Sequence, residues 1–171
     1  MSKHTSLSTS VRRYFIDEFF FKKSFLIKGK VVDIGGKKKN KRGLFNVDKI
    51  SSEVIYVNID PSTEPDVASD AIAIPIPNDS FDTAIIAELL EHTPEPLKVL
   101  REAYRLLKTG GVALVTVPFN VGVHGDPDDY ARYTPTLLEK MAREIGFNHI
   151  EIEQQGKIFS VVALMMQHVF Q

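Results

Sequence analysis

Three observations predict an α/β fold with one mostly parallel sheet and helices on both faces. Short β-branched runs at 30–34, 54–59, 81–87 and 112–117 alternate with stretches of helical periodicity, the order in which parallel strands and crossover helices are built. The first run, KVVDI, breaks into Gly35-Gly36, and the second, VIYVNI, is closed by Asp60. Neighbouring strands whose carboxyl ends carry glycines and a carboxylate suit a nucleoside-containing cofactor, because the glycines let backbone approach it and the acid can accept ribose hydroxyls.

In chain order, Met1 to Ser8 are polar and expected to fray. Ser10 then caps a helix with Val11, Phe15 and Phe19 on one stripe and Ile16 and Phe20 beside it, a spacing typical of core. The first strand is expected at Gly29 to Ile34. The connection Lys37 to Gly43 reads KKKNKRG, either a solvated loop or a place where Lys37 or a neighbour meets a carboxylate or phosphate. Between Asp60 and Val67, Pro61 and Pro65 leave too little chain for a helical crossover. The second crossover is therefore shortened, and Asp66 to Asp70 supplies at most a vestigial strand.

A proline-punctuated loop leads into a buried strand at Phe81 to Ala87. Pro94 to Lys108 reads as a helix facing inward with Leu97, Leu100, Tyr104 and Leu107, ended by Gly110-Gly111 before the strand VALVTVP. Asn120 to Tyr133 is a polar loop. Thr134-Pro135 opens a helix with Leu138, Met141, Ala142 and Ile145 inward and Gly146 closing it. His149 to Glu153 alternates as a further strand. The final IFSVVALMMQHVFQ reads as a buried helix of about 14 residues, too short to cross a bilayer, that docks on the sheet or forms a homodimer.

At 171 residues the chain reads as a single domain, with an N-terminal helical segment (1–28), a core (29–155) and a C-terminal apolar helix (156–171). Cysteine is absent, which removes disulfides, thiolate zinc sites and a cysteine nucleophile and is compatible with a reducing cytoplasm. A net charge of -1 argues against a general polyanion binder. Charged residues interrupt the apolar patches of the first segment, so neither a signal peptide nor a membrane span fits.

The glycine turn, Asp60 and the run DAIAIPIPNDSFDTAIIAELLEHTPEPLKVLREAYRLLKTGGVALVTVPF together resemble the class I S-adenosylmethionine-dependent methyltransferases, of Rossmann-like fold, over about residues 30–153. The later HGDPDDYARYT resembles a loop in a bacterial and archaeal subgroup of these enzymes. The resemblance implies S-adenosylmethionine as cofactor, with Asp33, Gly35 and Gly36 facing its methionine portion, Asp60 gripping the ribose diol, and Asp70 and Ala71 reading the adenine. Ala87 and Glu88 fall where the methionine end lies. One departure stands out: Lys37 to Lys39 replace the motif's later glycines.

Methyl transfer from a sulfonium asks the protein chiefly to align the acceptor and exclude water, and a hydroxyl acceptor also needs a base. Glu88, Glu91, His92, His124, Asp126, Asp129, Tyr130 and Arg132 are candidates, with His124, Asp129 and Tyr130 singled out as catalytic. His124 leads because Gly122 and Gly125 free its backbone, although it can equally fix the loop, and Asp129 and Arg132 can simply pair and hold a turn. No metal is expected, since the histidines show no ligand spacing. The leading reading is a methyltransferase for a small molecule, a sugar or lipid-linked intermediate. A non-catalytic binding module and, with KKKNKR as backbone contact, a nucleic-acid methyltransferase are the rivals.

Overall fold

The computed structural model describes residues 10–125, 128–157 and Val162. The expected helix at 156–171, the frayed Met1 to Ser8 and Asp126 lie wholly or mostly outside the described residues. Helix α1 (Val11–Lys23) starts where Ser10 Oγ accepts from the Arg13 amide at 3.2 Å. Then follow β1 (Val31–Ile34), β2 (Val54–Asn58), β3 (Val67–Ala68), β4 (Phe81–Ala87), α2 (Pro96–Leu106), β5 (Leu107–Thr116) and α3 (Pro135–Ile145). The strands form one sheet in the order β3-β2-β1-β4-β5, every pair parallel. This is the expected α/β architecture.

Strand alternation divides the core between the two faces. Val32, Ile34, Val57, Ala84 and Ile86 point to one side, where Val99, Leu100 and Ala103 of α2 and Met141 of α3 cover them. Val31, Tyr56, Ile85 and Leu114 point to the other, beneath Ile16 and Phe20 of α1. β3 is two residues long, Val67 opposite Val57 and Ala68 opposite Asn58, so the shortened second crossover leaves only the predicted vestige.

Two boundaries differ from expectation. Helix α2 ends at Leu106, not at the glycines, and Leu107 already lies opposite Phe81 in the sheet. Register then jumps to Val112 opposite Thr83, placing Gly110 and Gly111 in a bulge. Gly110 has φ +81°, and a side chain at Gly111 would meet the Lys108 carbonyl oxygen at 2.9 Å. The glycines thus shape a strand instead of stopping a helix.

The expected strand at His149 to Glu153 is not formed; that segment joins no ladder. Its polar side chains bind α1 instead, Lys23 Nζ to Glu151 at 2.6 Å, Lys22 Nζ to Glu153 at 3.0 Å and Gln155 Nε2 to the Phe15 carbonyl at 2.9 Å. The alternation supplied no hydrogen-bonding partner, and Ile152 remains exposed where a strand would have turned it inward. β5 is therefore an edge among the described strands.

Candidate functional site

The carboxyl ends of β1, β2, β3 and β4 lie at one edge of the sheet, and the sequence-predicted cofactor residues gather there. Gly35 turns the chain out of β1 at φ +81°, with its amide donating to the Val57 carbonyl at 2.8 Å. Gly36 has a steric reason to lack a side chain, because a Cβ there would stand 2.2 Å from Asp33 Cγ.

Asp33 projects from β1 with Oδ1 buried and without a partner. Burial pushes its carboxyl up to about 7, against the pull of Lys41. Asn58, at the end of β2, was not singled out from sequence. It donates from Nδ2 to the carbonyls of Gly35 at 2.9 Å and Gly36 at 3.0 Å, and its Oδ1 accepts from the Asp60 amide at 2.9 Å. One buried amide thereby ties the glycine turn to the acid that follows β2. A polar residue inside an otherwise apolar strand was the signal available.

Asn58 pairs with Ala68, so Asp60 and Asp70 each stand two residues past a matched pair on adjacent strand tips. Both are exposed. Asp60 Oδ1 and Oδ2 accept from the Ser62 amide and hydroxyl at 2.9 and 2.8 Å, which holds its carboxyl below the usual range, with Lys37 adding to the effect. Two carboxylate oxygens carry about four lone pairs, so these bonds leave acceptor capacity for a diol. Asp70 Oδ1 accepts from the Ile72 amide at 3.1 Å, setting the backbone of Ala71 just beyond β3. The glycine turn, the unpartnered Asp33 oxygen and the two exposed acids fit a nucleoside carrying an ammonium group.

The basic loop folds back on local acids. Lys38 pairs with Asp66, Lys39 with Glu64, and Lys41 with Asp48 while donating to the Tyr56 hydroxyl at 2.6 Å. Asp17 of α1 accepts from the Leu44 and Phe45 amides at 2.8 and 3.2 Å and ties the far end of the loop down. The expectation that a neighbour of Lys37 meets a carboxylate is met at these three lysines.

Past β4 the chain enters a strained turn. Ala87 packs beneath α1, and Glu88 adopts φ +54°, a left-handed conformation uncommon for a side chain of its size. Arg12, carried in by α1, pairs with Glu88, reaches Glu91 Oε1 at 3.1 Å and places Nη1 3.2 Å from His124 Nε2. Arg12 gave no sequence signal, being 76 residues from Glu88 and 112 from His124.

The polar loop from Asn120 to Tyr133 is pinned over the short turn Leu90–His92. The Tyr130 amide donates to the Glu91 carbonyl at 2.7 Å, the buried Tyr133 hydroxyl to the Leu90 carbonyl at 2.8 Å, and His92 Nδ1 lies 2.5 Å from the Asp128 carbonyl oxygen. Asp129 pairs with Arg132, at 2.7 Å to Nη2, and accepts from the His124 amide at 2.8 Å, so it holds the turn. Both contacts keep its carboxyl well below the usual range, Arg132 foremost. Tyr130 is half exposed, its hydroxyl donating to Asp128 at 3.2 Å, which raises its pKa and so disfavours the phenolate. Of the three residues singled out as catalytic, His124 alone is in hydrogen-bond contact with Arg12, through Nε2.

A cavity of about 950 Å³ opens beside this cluster and runs along β5 beneath α1 and α3. Arg12 and Glu88 stand on its wall, and Phe15, Phe19, Leu114 and Leu138 make much of it apolar. Asp60 and Asp70 do not line it, so it extends away from the strand tips that would hold a nucleoside.

Comparison with known proteins gives a consistent picture. Residues 39–115 match the family described as a methyltransferase domain, a span that takes in Asp60, Asp70 and Glu88 but begins after the glycine turn. The chain is 44% identical over 52 residues to the chloroplastic 2-methyl-6-phytyl-1,4-hydroquinone methyltransferase 1 of Oryza sativa, a stretch covering 30% of this chain and 16% of that protein. It is 33% identical over 89 residues to the ubiquinone biosynthesis O-methyltransferase of Psychrobacter arcticus, covering 42% of this chain and 35% of that one. The chain thus spans only a minor part of these relatives' length. Among solved structures, an S-adenosylmethionine-dependent methyltransferase from Archaeoglobus fulgidus superposes with TM-score 0.63 at 18% identity, over 92% of this chain and 86% of its own. A Haemonchus contortus phosphoethanolamine N-methyltransferase complexed with S-adenosylhomocysteine superposes with TM-score 0.61 at 22% identity, over 80% of this chain and 38% of its own.

Proposed function

We propose, on the premise that this chain belongs by fold to the class I S-adenosylmethionine-dependent methyltransferases, that it binds S-adenosylmethionine across the tips of β1, β2 and β3 and methylates a small-molecule acceptor held past β4. The observation that carries this reading is the register of β2 with β3, which sets Asp60 and Asp70 on neighbouring tips beside a glycine turn locked by Asn58. Asp60 would accept the ribose hydroxyls, Asp70 and the Ala71 backbone the adenine edge, and Asp33, Gly35 and Gly36 would face the methionine portion, near Ala87 and Glu88. The bound cofactor supplies an electrophilic methyl group.

The chain's own task is then alignment and exclusion of water. Arg12 and the pinned loop meet past the end of β4, and His124 Nε2, which accepts from Arg12, would take a proton from an acceptor hydroxyl once Arg12 gives way. The apolar lining of the adjoining cavity favours a lipid-linked acceptor over a free sugar. The hydroquinone and ubiquinone chemistry in the relatives' names agrees with that choice.

The test combines calorimetry with S-adenosylhomocysteine and transfer of labelled methyl to isoprenoid hydroquinones and to lipid-linked sugars. Binding lost in Asp60→Ala together with transfer to an apolar acceptor is the expected result. No binding at millimolar ligand refutes the cofactor assignment, while binding without transfer to any acceptor points to a non-catalytic module.

A further inference from the structure

We propose that Glu91, His92 and His124 form a binding site for a divalent first-row transition-metal ion. One ligand atom from each residue lies within 4.8 Å of the other two, although His124 is far from the pair in sequence. Two imidazoles and a carboxylate form a ligand set that suits zinc, iron, cobalt or manganese better than magnesium or calcium, which prefer oxygen alone.

The hydrogen bonds around the cluster hold both rings by Nδ1 and leave each Nε2 toward the cluster. His92 Nδ1 lies 2.5 Å from the Asp128 carbonyl oxygen and His124 Nδ1 3.0 Å from the Gly122 carbonyl oxygen. A carbonyl oxygen only accepts, so each Nδ1 carries a proton, which leaves Nε2 as the nitrogen a metal would take. His124 shows this twice, since its Nε2 faces Arg12 Nη1 at 3.2 Å and a guanidinium only donates. His92 Nε2 faces Glu91 Oε1 at 3.6 Å. Backing a ligand imidazole through its other nitrogen is the usual support of a metal centre.

Independent of the histidines, Glu91 is 0% exposed and its Oε2 has no hydrogen-bond partner. A buried carboxylate oxygen left unpaired is costly, and a cation bound at this cluster would satisfy it. Arg12 already supplies one positive charge, bonding Glu91 Oε1, His124 Nε2 and Glu88. An incoming ion displaces Arg12 from Glu91 and His124 and leaves it on Glu88. Arg12 is therefore a competitor of the metal. With an ion in place, His124 Nε2 would be a ligand and would no longer be free to act as a base.

The test is made without cofactor or acceptor, so its outcome is separate from that of methyl transfer. Cobalt(II) is titrated into the intact chain and followed by its visible absorption, then displaced by zinc(II). The expected result is one ion per chain, an affinity lowered by at least about tenfold in His92→Ala and in His124→Ala, and raised in Arg12→Ala. His149→Ala, on an exposed residue outside the cluster, should bind as the parent does. Circular dichroism verifies that each variant is folded. Absence of cobalt absorption in both the parent and Arg12→Ala, or binding that survives loss of both imidazoles, overturns the proposal.

Discussion

Replacing Asp33 by asparagine should stabilise the fold, and by an amount that depends on pH in one direction only. The carboxyl is raised from an ordinary 3.8 to about 7, chiefly because burial disfavours its charged form. Below about pH 4 it is protonated in both folded and unfolded chains and costs nothing. Between the two values the unfolded chain loses the proton while the folded chain keeps it, so stability falls by ~1.4 kcal/mol per pH unit. Above about 7 the folded carboxyl ionises as well, and the full penalty, ~4 kcal/mol, is present and constant. An asparagine of nearly the same shape does not titrate. Urea unfolding followed by circular dichroism at a series of pH values should therefore show the advantage of Asp33→Asn growing from acid to neutral pH and levelling off above it. A difference between the two proteins that stays flat across that window would refute the burial argument. If the unpartnered oxygen serves the cofactor's ammonium group, the same variant should also bind S-adenosylhomocysteine more weakly at neutral pH, trading ligand affinity for stability.

Further outcomes follow from the same corner of the sheet. Gly36→Ala places a Cβ 2.2 Å from Asp33 Cγ and should cost ~1–3 kcal/mol in urea unfolding, with much of the loss recovered in the Asp33→Ala, Gly36→Ala double variant. Asn58→Ala removes the donor to two carbonyls and should lower stability by ~1–3 kcal/mol while weakening S-adenosylhomocysteine binding in calorimetry. Tyr133→Phe deletes the buried bond to the Leu90 carbonyl and should lower unfolding free energy by ~1 kcal/mol. Its clearest sign should be faster amide exchange in the loop carrying His124.

Legibility in the sequence followed the range over which each feature is determined. The strand runs at 30–34, 54–59, 81–87 and 112–117, the Ser10 cap and the missing helix between β2 and β3 are decided within a few residues, and the structure shows these. The end of α2 was misplaced because Gly110-Gly111 satisfies two local rules, as a helix stop or as a strand bulge. Only the pairing of Leu107 with Phe81, a non-local contact, selects between them. His149 to Glu153 carried the alternation of a strand, but alternation cannot supply a neighbouring ladder, and without one Ile152 stays exposed.

The two halves of the site differ in the same way. Asp33, Gly35, Gly36, Asp60 and Asp70 stand at the ends of consecutive parallel strands, so finding the strands places the residues, and only Asn58, hidden by its apolar neighbours, escaped notice. The half beyond β4 joins three distant segments: α1 brings Arg12, the turn after β4 brings Glu88, Glu91 and His92, and the loop after β5 brings His124. No window of sequence holds that arrangement, and its residue types looked scattered for that reason. Arg12 is what makes the joining depend on α1. Because its guanidinium bonds two carboxylates and one imidazole, moving the start of α1 would withdraw one positive charge from Glu88, Glu91 and His124 together while leaving Asp60 and Asp70 untouched. Affinity for adenosine alone, the portion proposed at Asp60 and Asp70, should thus be insensitive to Arg12→Ala, whereas properties that depend on the charge of the cluster should change.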